Sequence, residues 1–173
     1  SALLFRYSVL NGDSDSDGVS VGAYTTNGGA LADAAGNGGG TTLNGVGSTT
    51  GVLVDGSQPS ITNVDATNAN GAYGAGQVIT ITVSFSTSVE IDTTGGAPTL
   101  TLNNGATADY FSGGGNTLVS KSIVAAGENS ADLDYASTNA FALNGATIYE
   151  NAGGGRNAST VLLAPGSTGS LGD

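Results

Sequence analysis

The chain has 173 residues and contains no cysteine, histidine, methionine or tryptophan. Without cysteine there is no disulfide and no thiolate; without histidine there is no imidazole ligand and no Ser-His or Cys-His nucleophile system. Basic residues are nearly missing as well. Arg6, Lys121 and Arg156 stand against 14 acids, for a formal net charge of −11. Gripping a nucleic-acid backbone takes clustered Lys and Arg, and so does adsorbing to an anionic membrane surface, which excludes both partners. No apolar run approaches the length of a membrane span. The opening SALLFRYSV lacks the basic-then-apolar layout of a secretory leader, and the chain reads as cut from something longer.

What is present is glycine, 30 residues of it, with much Ser, Thr and Asn and few helix formers. The apolar residues recur every second position, never every 3.6. In LLFRYSV, Leu3, Phe5, Tyr7 and Val9 face one way. In QVITITVSFS, Ile79, Ile81, Val83 and Phe85 should face a core with Leu100, Leu102, Val124 and Leu163, leaving Thr80, Thr82 and Ser84 outside. PTLTLN and STVLL also read as strands, and clusters such as NGGG, TTGG and SGGGN punctuate the runs. GAYGAG has glycine spacing like that of a phosphate loop, but no Lys follows, so it reads as a hairpin turn. Short strands without helices predict an all-β chain of antiparallel β-sandwich type.

An internal repeat sets the layout. LLFRYSVLNGDSDSDGVSV lines up with TLVSKSIVAAGENSADLDYAS at an offset of about 115 residues, placing Gly12 on Gly127, Asp13 on Glu128 and Asp17 on Asp132. ALADAAGN matches TIYENAGG, with Asp33 on Glu150, and LNGVGSTTG parallels LLAPGSTGS. Residues 1–57 are then the C-terminal half of one repeat. Residues 58–173 are a nearly complete second copy, lacking its last strand, the counterpart of VLVD. Pro59 follows VLVDGSQ as a short stiff link between the two.

With YGAGQVITITVSFSTSVEIDTTGGAPTLTLNNGATADY, VAAGENSADLDYAST, LNGATIYENAGG and APGSTGSLG in view, the chain resembles the tandem Ig-like repeats of giant bacterial surface proteins. These include long adhesins, surface-layer proteins and extracellular filaments. The resemblance implies tandem Ig-like sandwiches, an extracellular place at the bacterial cell surface, and calcium at loops and domain junctions. The family's alternating aromatic strand is kept in the first copy as Leu3, Phe5 and Tyr7, and its second copy is Leu118, Ser120 and Ser122.

The acids can be weighed against that expectation. NGDSDSDG places Asp13, Asp15 and Asp17 on alternate residues before Gly18, and calcium takes six to eight oxygens at roughly 2.3–2.6 Å. The twelfth position counted from Asp13 is Tyr24, not an acid, so the loop is no EF-hand. The competing reading is a solvated acidic turn. By resemblance, Asp33 and Asn37 of the DAAGN turn are the nearest further ligands. The second copy offers Glu128, Asn129, Asp132 and Asp134, with Glu150 as a remote ligand; in a strand, Asp132 and Asp134 would share a face opposite Leu133 and Tyr135. The junction offers Asp55, Asn63 and Asp65, with Asp92 on a nearby loop, against plain Asx turns at each position.

No catalytic constellation stands out, so the expectation is a non-enzymatic structural module of a secreted surface assembly. Its partners would be neighbouring copies or repeats in a linear array, stiffened by Ca2+. The alternatives are a ligand-binding adhesive module, which would show an exposed aromatic cluster, and an accessory domain of an extracellular hydrolase.

Overall fold

The computed structural model describes residues 3–151 and 155–173. Among these residues ten strands follow one another: β1 (Ser14–Asp15), β2 (Val54–Asp55), β3 (Ile61–Ala66), β4 (Val78–Phe85), β5 (Val89–Asp92), β6 (Thr99–Thr101), β7 (Thr107–Gly114), β8 (Thr117–Ile123), β9 (Phe141–Ala142) and β10 (Thr147–Glu150). No helix occurs among the described residues, and therefore none long and apolar enough to cross a membrane. Every ladder is antiparallel. The chain divides into two compact units, Ser1–Ser57 and Gln58–Asp173.

The second unit holds a six-stranded sheet in the order β3-β4-β8-β7-β6-β9, with β5 and β10 paired as a separate two-stranded sheet. Strict alternation makes β4: Ile79, Ile81, Val83 and Phe85 are buried, while Thr80, Thr82 and Ser84 on the other face are half-buried. β-Branched side chains favour this extended backbone. Val89 and Ile148 from the small sheet enter the same core as Ile81, Val83, Leu100, Leu102 and Leu118 from the large one. Two sheets thus close on one apolar layer, a β-sandwich-like arrangement. Burying each such side chain contributes roughly 1.5–3 kcal/mol.

Two register predictions shift. Val124 is only half-buried, packed on the edge of the core, and Leu162 rather than Leu163 is fully inside. Residues 159–163 form no strand, so period-two alternation does not govern them. Leu162 is fixed instead by its N–H donating to Thr138 O (2.8 Å), while Leu163 O accepts from the Tyr135 hydroxyl (2.9 Å). At β7 a bulge between Tyr110 and Ser112 turns Phe111 outward, where the Lys121 ammonium lies 3.2 Å from its ring centroid.

The first unit is built differently. Its only ladder among the described residues is β1 with β2, pairing Ser14 with Asp55 and Asp15 with Val54. No hydrophobic side chain of residues 3–57 is buried, and Leu3, Phe5, Tyr7 and Val9 are 60%, 72%, 69% and 45% exposed. The strand expected over LLFRYSV is absent. Extended backbone needs a laddered neighbour for its N–H and C=O groups, and none lies beside residues 3–9 among the described residues. Phe5 finds one companion, Tyr24, edge-on at 5.8 Å between ring centroids.

Candidate calcium-binding loops and an acidic cavity

The 13–17 loop is shaped by close backbone approach. Gly18 has φ +105°, and a Cβ there would lie 2.4 Å from Thr50 Cα; a Cβ on Gly56 would lie 2.2 Å from Leu10 O. Only glycine fits at either place. The turn is closed by Asp13 N–H donating to Leu10 O (3.1 Å), and the Asp13 carboxylate accepts from Leu10 N (2.7 Å) and from the Tyr7 hydroxyl. The Tyr7 bond, and then the Leu10 bond, hold the Asp13 carboxyl below the usual range; the same contact raises the Tyr7 phenol. Asp15 accepts from Gly18 N (2.9 Å). Asp13 and Asp15 line one concavity of about 330 Å³ with Tyr7, Ser14, Val19 and Val54, and Asp17 stands outside it in solvent.

Asp33 and Asn37 do come together. Asp33 Oδ1 accepts from Ala35 N and Asn37 N (both 2.9 Å), and Oδ2 accepts from Asn37 Nδ2 (2.8 Å). The Asn37 side chain first, then its backbone, lowers the Asp33 pKa. Asp55 lies opposite Ser14 on β2 and accepts from Ser57 N (2.9 Å), so it belongs with the first loop in the first unit. Asn63 and Asp65 sit on β3, and Asp92 ends β5, accepting from Thr94 N (2.8 Å) and Thr94 Oγ1 (2.5 Å), which lowers its pKa.

In the second unit the acids part ways. Glu128 caps its own turn, accepting from Ala125 N (2.9 Å). Glu128, Asn129 and Asp132 line a cavity of about 450 Å³ together with Asp173, over a floor that includes Ile79 and Leu133. Asp134 does not share a face with Asp132, because residues 132–134 form no strand. Asp134 is buried and anchors the last loop, accepting from Gly166 N (2.8 Å), Ser170 Oγ (3.3 Å) and Tyr135 N (2.7 Å). Burial, then the Asp134 charge, raises the neighbouring Tyr135 phenol. Glu150 is buried in an ion pair with Arg156 (2.5 Å); of the loop that follows it, residues 152–154 lie outside the described residues.

Sequence reasoning missed Asp173 at the cavity and the anchoring role of Asp134. Neither follows from spacing: both depend on where the 164–173 loop returns. Among the described residues no three acids gather into one metal-holding group. Of the acids expected to bind calcium in the first loop, Asp13 and Asp15 are the two that line one concavity. No family model matches the chain, and no curated protein or solved structure matches it either.

Proposed function

We propose that this chain is a structural repeat module of a secreted bacterial surface assembly, built of Ig-like sandwiches in a linear array with neighbouring copies or repeats. One observation carries the reading: among the described residues of the first unit no hydrophobic side chain is buried, although the unit carries the sequence of a central strand. The repeat places Leu3, Phe5 and Tyr7 on Leu118, Ser120 and Ser122, and in the second unit those three point into the core from β8, between β4 and β7. Protein supplied by a neighbour would complete the half-sandwich and bury that stripe. In this reading the work is mechanical, with no reaction, and calcium held by Asp13 and Asp15 quiets the repulsion among the loop acids.

The test is sedimentation velocity with hydrogen exchange across a concentration series. Association into linear oligomers, with residues 3–9 gaining protection as they form, is the expected result. A monomer at every concentration, with residues 3–9 already protected, would end the proposal.

A further inference from the structure

Seven asparagines precede a glycine, and three of these pairs lie in the second unit: Asn70-Gly71, Asn104-Gly105 and Asn144-Gly145. The backbone accounts for two of them. Gly105 and Gly145 have φ +87° and +93°, a region that favours glycine. Asn104 Oδ1 accepts from Ala106 N (3.0 Å), and Gly105 N–H donates to Leu102 O (3.0 Å). The Asn144 amide donates to Ala97 O (3.2 Å) and Thr99 Oγ1 (2.9 Å), and a Cβ on Gly145 would lie 2.4 Å from Gly95 O. Asn70-Gly71 is different. Gly71 has no positive φ, and a Cβ there would meet nothing within 4 Å. Asn70 is exposed, and neither its side chain nor the Gly71 N–H has a hydrogen-bond partner among the described residues. The loop on either side is pinned: Asn68 donates to Val78 O (3.0 Å) and accepts from Thr80 N (2.8 Å), and the Tyr73 hydroxyl donates to Ala69 O (2.5 Å).

We propose that Asn70-Gly71 is a modification site, where the chain converts asparagine to aspartate and isoaspartate without an enzyme. The Gly71 nitrogen loses its proton to solvent and bonds to Asn70 Cγ. The bond from Cγ to the side-chain nitrogen breaks, and that nitrogen takes up a proton and leaves as ammonia. Water then opens the cyclic imide at either carbonyl, leaving a carboxylate on a normal or a lengthened backbone. The balance is amide plus water to carboxylate plus ammonium, with no oxidant and no cofactor. The attack needs a glycine nitrogen that no Cβ crowds and a side chain free to swing onto it. Asn70-Gly71 has both. At Asn104 and Asn144 the side-chain hydrogen bonds must break first, and at Asn104 the glycine's bond must break too. Each conversion adds a negative charge to a chain already at −11, at a loop tip where no hydrogen bond among the described residues depends on the lost amide.

The test is a time course on the full chain in mildly alkaline buffer, with peptide mapping by mass spectrometry at all three pairs. In the folded protein Asn70 should convert about tenfold faster than Asn104 or Asn144, the difference being the cost of opening their hydrogen bonds. In urea the three rates should converge. Gly71→Ala, which the open space beside Gly71 admits, should lose most of the conversion at position 70 while keeping the fold. Equal rates in the folded chain, or an order that persists unchanged in urea, would overturn the proposal. So would undiminished conversion in Gly71→Ala.

Discussion

Asp33 uses both carboxylate oxygens on one five-residue turn, and Asp13 and Asp92 do similar work at theirs. All three have pKa values lowered by these bonds. A group depressed in the folded state stabilises above its unfolded pKa, and that contribution is lost as pH falls through the folded value. The turns should therefore hold through mildly acidic solution and open only below the ordinary aspartate range. The Asn37 side-chain amide resonance, followed by NMR titration, should move with a midpoint under that range; a midpoint at the unperturbed value would mean the ring is not closed. Ser120 presents the opposite situation, a buried hydroxyl with no hydrogen-bond partner among the described residues. Such a group costs about 1–3 kcal/mol, so Ser120→Ala should be neutral or stabilising in urea denaturation. In the same assay Phe85→Ala should cost about 3–5 kcal/mol by leaving a cavity, and Thr82→Ala well under that. Equal losses would put the β4 register in error.

At the level of elements, alternation told the truth about side-chain facing and only half the truth about secondary structure. β4 was readable because Ile79 to Phe85 alternate and because β3 and β8 lie on either side to complete its ladder. Leu3 to Val9 alternate just as well, yet form no strand, since a period of two states which face an apolar residue would take and not whether a partner is there. The acids divide similarly. The turn at Asp13 and the Asp33–Asn37 ring follow from local Asx chemistry that spacing reveals. The burial of Asp134 and Glu150 depends on loops returning from 166–170 and on Arg156, which no local pattern encodes. In dilute solution, amides of 3–10 should exchange at nearly unprotected rates while those of β8 require unfolding of the sheet. Comparable protection in the two segments would show that the alternation had found a partner after all.

For the molecule as a whole, one unit with a core and one without should behave unequally. Heating should give a single cooperative transition belonging to residues 58–173, and gentle proteolysis should clip residues 3–53 first. If Asp13 and Asp15 hold calcium, titration calorimetry should register calcium in preference to magnesium, and Asp15→Ala should abolish much of the heat. Indistinguishable traces for buffer and calcium would remove the ion from the account. The sheet order of the second unit has one more consequence, in time rather than in space. β3–β4 and β6–β7 pair with near neighbours in the chain, whereas β8 alone joins β4 to β7. A nascent chain that has emerged only as far as Gly114 holds separate ribbons with no common interior. Non-local pairing of this kind carries a loop-closure cost before any contact rewards it, and it places folding on the millisecond-to-second scale. The core therefore closes only once residues 117–123 arrive, so the ribosome, by the order in which it releases strands, sets the moment at which this protein first acquires an inside.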